Sequence, residues 1–277
     1  FQIVKCFRDE DLRVDRQPED EKSTYEDYDE TGRLTKAGCG LRSSWEAGLK
    51  DCVWKGPSPL VFFHPNGQKR AVIPLKNGRR EGVTELFDKD GQRTATNAYS
   101  AGVLDGVSTR YAAGKALTST TWVQGQREGD ETEFFNDGGK KQVVTWKDRQ
   151  QVKRVEYFQN GERKHELVVA GDRAVESSFE DDGSLRERRN LLKGDFHNGF
   201  DSDGVTEAFF PDGGTERREH YVKGKAEGRR QVWAENGTLV EDSQWTKDRV
   251  TTRKRWNPDG GLVEDESFHE DGSRKKK

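Results

Sequence analysis

Along most of this chain an aromatic residue is followed four positions later by glycine, and the pair recurs every 22 to 24 residues. The anchors are Phe63 to Gly67, Phe87 to Gly91, Phe134 to Gly138, Tyr157 to Gly161, Phe179 to Gly183, Phe209 to Gly213, Trp233 to Gly237 and Trp256 to Gly260. Tyr111 to Gly114 is the same motif one residue short. A fixed period of this length means a stack of small similar units, so the fold is quasi-one-dimensional and function is expected on an extended surface.

A second beat lies half a period away. Leu75, Tyr99, Trp122, Leu191 and Tyr221 each stand three residues before a glycine, and four repeats add another glycine four positions on: Gly78/Gly82, Gly102/Gly106, Gly125/Gly129 and Gly224/Gly228. Each unit is therefore two short segments between glycine turns, too short for helices. Asn66-Gly67, Asp90-Gly91, Asn160-Gly161, Asp182-Gly183 and Asn236-Gly237 are dipeptides of tight hairpin turns, where positive φ is needed. The fold class that follows is all-β, an elongated antiparallel meander of tandem hairpins of about 23 residues. Alternation places Phe87 with Glu85 and Val83 on one face, and Leu86 with Thr84 on the other. The aromatics are expected to form cross-strand ladders in a thin core one side chain deep.

Runs such as Asn77-Gly78-Arg79-Arg80-Glu81-Gly82-Val83-Thr84-Glu85-Leu86-Phe87 and Gly125-Gln126-Arg127-Glu128-Gly129-Asp130-Glu131-Thr132-Glu133-Phe134-Phe135 resemble the MORN-repeat variant of bacterial proteins, the YwqK-type antitoxin family. Lys223-Gly224-Lys225-Ala226-Glu227-Gly228 carries the same likeness, which extends over roughly residues 60–272. Arg149 and Lys153, and Asp248 and Thr252, stand where the glycine pair belongs, so those hairpins are expected to turn differently.

Only 30% of residues are hydrophobic and 36% are charged, a composition that leans toward disorder unless the few apolar residues recur in register, as they do here. Net charge is −3, with 11 acids against 4 bases in residues 8–30 and a remainder of +4, which is no footprint for nucleic acid. The chain begins at Phe1 and contains no Met, from which a removed targeting segment or a trimmed chain is expected. Cys6, Cys39 and Cys52 flank stretched parts of the period, and a Cys39–Cys52 disulfide is the preferred pairing of three. Together these favour an oxidising, periplasmic compartment over the cytoplasm.

Residues 1–24 read as an acidic irregular segment and 25–62 as a divergent first repeat with insertions. The repeat array runs over 63–272, and 273–277 form a basic tail. One insertion, at 195–203, interrupts the array and brings Phe196, His197, Phe200, Asp201 and Asp203 together on what reads as a long loop. Arg186, Arg188 and Asn190 alternate on one strand face, and Arg218 with His220 continues that parity in the next unit. These aromatic, acidic and Arg positions are the candidate partner-binding residues, since Arg and aromatic anchors dominate interface energetics. Trp122, Trp146 and Trp245 read as core ladder residues or, alternatively, as a carbohydrate-binding row.

The five histidines show no metal or general-base spacing, and there is no phosphate-binding loop, nucleophile elbow or Cys-x-x-Cys motif. Neither catalysis nor a cofactor or metal is implied. The resemblance implies an antitoxin or immunity protein that occludes a secreted bacterial toxin, such as a type VI secretion effector of the lipase or phospholipase kind. A structural scaffold at the membrane or cell envelope is the alternative, although a lipid-binding protein should show a basic patch.

Overall fold

A computed structural model describes residues 59–64, 66–77, 79–193 and 199–275, and the backbone of 23–28 and 34–40. The chain is all-β: an antiparallel meander of tandem hairpins, with no helix among the described residues. It divides into two compact units, residues 1–138 with 147–149 and residues 139–146 with 150–277. Nothing in the sequence period marks that division.

In the first unit the regular array begins at Leu60–Phe63, which pairs with Lys69–Ile73. Pairing then runs in chain order through Gly82–Phe87, Arg93–Ser100, Val103–Ala112, Lys115–Val123 and Gln126–Phe134. A separate hairpin joins Ser23–Tyr28 to Leu34–Gly40, with Cys39 opposite Thr24. Cys6 and Cys52, and with Cys52 the expected disulfide, lie outside the described residues. The second unit continues in the same way from Gln150–Tyr157 through Arg163–Ala170, Arg173–Phe179, Leu185–Lys193, Phe200–Phe209 and Thr215–Val222. Gly228–Trp233, Leu239–Thr246, Arg249–Trp256 and Leu262–Ser267 complete it.

The two glycine beats make two different turns. After Tyr111, Ala113 at 48° and Gly114 at 74° both take positive φ; after the other first-beat aromatics one glycine alone does, as Gly91 at 77°. There Gly91 N–H donates to Asp88 C=O at 3.1 Å and Asp88 N–H donates to Gln92 C=O at 2.9 Å. This is a type I turn closed by a left-handed glycine, followed by a bulge opposite Phe87. The Asn or Asp before such a glycine accepts the N–H two residues on, as Asn66 does from Gln68, Asn160 from Glu162 and Asp182 from Ser184. Asn adds what Asp cannot: Asn66 Nδ2 donates to Lys89 C=O and Asn160 Nδ2 to Asp181 C=O, linking one turn to the next.

At the second beat two residues take positive φ in a two-residue turn, such as Gln124 at 49° and Gly125 at 78°. Contrary to expectation, the hairpins lacking the glycine pair turn identically. Asp148 and Arg149 adopt 50° and 64°, and Lys247 and Asp248 adopt 51° and 67°. The strand pairing on either side imposes the turn even on residues with a Cβ.

The core also differs from the expected apolar ladder. A true apolar cluster, Leu60, Phe62, Ala71 and Ile73 with Leu75 and Leu86 against it, lies in the first unit. Beyond it the first-beat aromatics, Phe87, Tyr111, Tyr157, Phe179 and Trp233 among them, are half-buried. The covered face is instead the one carrying Thr84 and Leu86, and its buried residues include Thr206, Glu219 and Ser243. Rings are covered by cations: Arg80 lies 4.8 Å from the Tyr99 centroid, Arg163 4.4 Å from Phe179 and Arg253 5.3 Å from Phe268.

Candidate functional site

The covered face of the second unit carries a ladder of alternating charge. His165 Nε2 lies 2.8 Å from Glu176, which is also paired with Arg189. Arg189 reaches Glu187 at 3.7 Å, Glu187 meets Arg217 at 3.3 Å, and Arg217 Nε lies 2.8 Å from Glu219. Glu219 then meets Arg230 Nε at 3.2 Å, where the ladder ends. Cross-strand register makes it: Glu176 stands opposite Arg189, Ala208 opposite both Glu187 and Arg217, and Thr206 opposite both Arg189 and Glu219. Exposed ion pairs are each worth under about 1 kcal/mol. Here the carboxylates are largely covered, with the Glu219 side chain 11% exposed, so losing one partner leaves a charge that water cannot fully solvate.

At the end of the ladder the pairing opens. Tyr221 pairs with Ala226 and Arg218 with Gln231, while Glu219 and His220 between them face the segment around Gly228, whose φ is 86°. The gap is a cleft of about 140 Å³ lined by Glu219, His220, Tyr221, Arg229, Arg230 and Trp245, together with Ala226 and Gly228. Tyr221 O–H donates to Glu219 Oε2 at 2.5 Å. Burial, then the hydrogen bond and charge of Glu219, push the Tyr221 phenol up to about 12. Trp245 is fixed by its indole N–H, which donates to Ser243 Oγ at 2.9 Å, and Arg230 lies over its ring at 5.7 Å.

A second surface stands out in the first unit. Val83, Val103, Val107, Leu117 and Val123 are all exposed, Val107 by 49%. Alternation puts them on the face opposite the covered one. Register sets Val83 against Ala98 and Val107 against Thr121. Beside them Thr96, Thr109, Ser119 and Thr132 form an unbroken cross-strand row. Glu85, bound to Arg93 at 2.7 Å, bounds this patch at one end, and the exposed Asp130, two residues before Thr132 on the same strand face, bounds it at the other.

The residues singled out from sequence fall as follows. Phe196 and His197 lie outside the described residues. Phe200, Asp201 and Asp203 are on the strand Phe200–Phe209 rather than on a loop, because Lys193 pairs with Phe200 and only the residues between them are extra. Asp203 Oδ1 accepts the N–H of Lys223 at 3.1 Å, and its other oxygen lies 3.6 Å from Arg173. Arg186 donates to Phe209 C=O at 2.8 Å and to Glu216 at 2.5 Å, and that hydrogen bond raises its pKa further. Arg188 and Arg218 share a face as expected, but Glu207 stands between them and takes both donors of Arg218. Of the three candidate arginines, Arg188 alone has no ion pair among the described residues, and it is exposed. The ladder and the cleft were missed: their acids and bases are in plain sight, but which of them meet depends on a strand opening that spacing does not give.

Among the described residues no group of three His, Cys, Asp or Glu side chains is placed to hold a metal ion. No helix among them is long and apolar enough to cross a membrane.

Comparison with known proteins does not place the chain in a family. No family model matches it. A segment of 66 residues is 44% identical to the aspartate–tRNA(Asp/Asn) ligase of Salinibacter ruber, covering 22% of this chain and 10% of that enzyme. Among solved structures, a mutant of S. aureus TarM in complex with Fondaparinux, alpha-GlcNAc-glycerol and UDP is similar over 40% of this chain and 21% of its own, at 13% identity and a TM-score of 0.28. A TcdB2-TccC3 structure is similar over 86% of this chain and 15% of its own, at 11% identity and a TM-score of 0.23. The chain thus spans a small fraction of each of these proteins.

Proposed function

We propose that this chain is a non-catalytic binding protein of the antitoxin or immunity class, acting in the periplasm by covering the active site of a secreted bacterial toxin. The observation that supports a protein partner is the exposed Val83, Val103, Val107, Leu117 and Val123 face. In a chain that is 36% charged, a cluster of exposed aliphatic side chains on one regular sheet face favours a surface that a partner desolvates. Its Thr and Ser neighbours are short side chains, so it offers a flat surface that costs little side-chain entropy to cover. The resemblance of the repeats supplies the antitoxin class, and an effector delivered between cells is the kind of toxin it suggests.

The test is affinity capture with the intact chain from native cell-envelope and secreted fractions, followed by assay of what elutes. The reading requires a stoichiometric partner that is an enzyme and is inactive in the complex. Capture of lipid or glycan with no protein would replace it with the envelope-scaffold reading.

A further inference from the structure

One repeat of the charge ladder lacks an acid that the next repeat has. Arg253 stands opposite Glu266 across the strand pair, lies over Phe268, and is held by Glu264 at 2.5 Å and Glu266 at 3.5 Å. One period earlier the same three places are taken by Arg230, Ser243 and Trp245, with Arg230 directly opposite Ser243. Ser243 is 1% exposed, and its hydroxyl is committed to Glu241 and to the Trp245 indole. The carboxylate that completes the guanidinium's surroundings in one repeat is therefore absent from the other. The cleft of about 140 Å³ opens beside that place.

We propose that this cleft is a carboxylate-binding site, in which Arg230 receives an incoming carboxylate on its Nη edge while Trp245 packs against the ligand's apolar stem. Glu219 comes nearest to Arg230 at Nε, at 3.2 Å, and among the described residues no side-chain hydrogen bond holds its Nη atoms. The guanidinium is preset by Trp245 beneath it and by Glu219 beside it, so a planar, two-point partner loses little entropy on docking. Glu219 does not repel that partner strongly, because Arg217, Arg230 and the Tyr221 hydroxyl already surround its charge. The volume suits one acidic side chain or a small free acid, being well below the roughly 300 Å³ at which drug-sized pockets begin. The inference stands on this geometry and does not rest on the antitoxin reading.

The probes are glutarate and a blocked peptide carrying a single Glu, titrated into the intact chain while the Trp245 indole and Arg230 Nε–H resonances are followed by NMR. Saturable shifts are expected with one or both, and none with the same peptide carrying Gln. Tighter binding of the peptide assigns the source to a protein side chain; equal or tighter binding of glutarate assigns it to a free acid. Arg230→Lys keeps the cation beside Glu219 but loses the two-point edge, and should weaken binding at least tenfold, whereas Arg188→Gln, outside the cleft, should leave it within twofold. No response to either acid, an equal response to the Gln peptide, or full binding by Arg230→Lys would overturn the proposal.

Discussion

Glu227 caps a turn that lies twenty residues ahead of it: its Oε2 accepts the backbone N–H of Lys247 at 2.9 Å. The same bond runs from Ala101 to Glu81 at 2.8 Å, from Asp148 to Glu128 at 3.0 Å and from Lys223 to Asp203 at 3.1 Å. In each case the acid precedes a glycine of positive φ, Gly82, Gly129, Gly204 or Gly228. The acid-glycine pair is thus the stitch that fixes these four second-beat turns on the previous repeat. Glu227→Ala is expected to cost about 1 kcal/mol, because the turn N–H loses a charged acceptor. Glu227→Gln should cost less, and equilibrium urea unfolding of the two variants would show whether that order holds.

Lys247 sits at φ 51°, in a left-handed conformation that its Cβ disfavours. Asn tolerates that conformation, so Lys247→Asn should stabilise the protein by a few tenths to about 1 kcal/mol. Its backbone N–H, which Glu227 uses, is unchanged by the substitution. A lower unfolding midpoint for the variant would show that the Lys side chain has a role the turn geometry does not reveal.

Glu219 is the acid on which the ladder's last two cations converge. Glu219→Gln leaves Arg217 and Arg230 short of a counter-charge on a covered face, and a loss of about 3 kcal/mol is expected. Glu207→Gln, which removes a partner only from the exposed Arg218, should cost under about 1 kcal/mol. Equal losses for the two would mean that the covered face is more open to water than its 11% exposed Glu219 side chain implies.

Tyr221 gives a pH signature. Its phenol is pushed up to about 12 in the folded chain, above the ordinary value of 10.0. The folded state therefore holds its proton after the unfolded state has lost it. The stability this contributes is fully present below pH 10 and is lost as pH rises toward 12. Ultraviolet titration should show one tyrosine ionising late, and Tyr221→Phe should remove that step. A Tyr221→Phe curve that still contains it would place the late group elsewhere.

The repeat was legible because glycine, Asn and Asp at fixed spacing encode turn geometry locally: Gly67, Gly91 and Gly161 are where the chain needs positive φ. The face that becomes covered was not legible. Phe87 looks like a core residue by type, yet the most deeply buried residues include Thr84 and Ser243, whose polarity argues the other way. The chain fills its covered face with Arg–Glu pairs and with guanidinium groups over rings, so apolar recurrence marks turns and ring positions rather than a continuous core. The stitching acids, Glu81, Glu128, Asp203 and Glu227, do carry a sequence signal, an acid before the second glycine, which becomes meaningful only once the next turn is known to lie beside it. For the partner-binding residues, the strand at Phe200 and the pairing of Arg186 and Arg218 leave Arg188 as the exposed cation without a partner, and the apolar patch was invisible because scattered Val residues converge only through register.

The central claim is that the exposed apolar face of the first unit covers a toxin. The most direct test is inhibition titration of the captured enzyme with the wild-type chain, Val107→Glu and Arg188→Glu. Val107 is 49% exposed, so its substitution should leave the fold intact, which circular dichroism checks. The account predicts stoichiometric inhibition by the wild type and at least tenfold weaker inhibition by Val107→Glu, with Arg188→Glu reporting whether a residue of the second unit also takes part. Full inhibition by a folded Val107→Glu would contradict it.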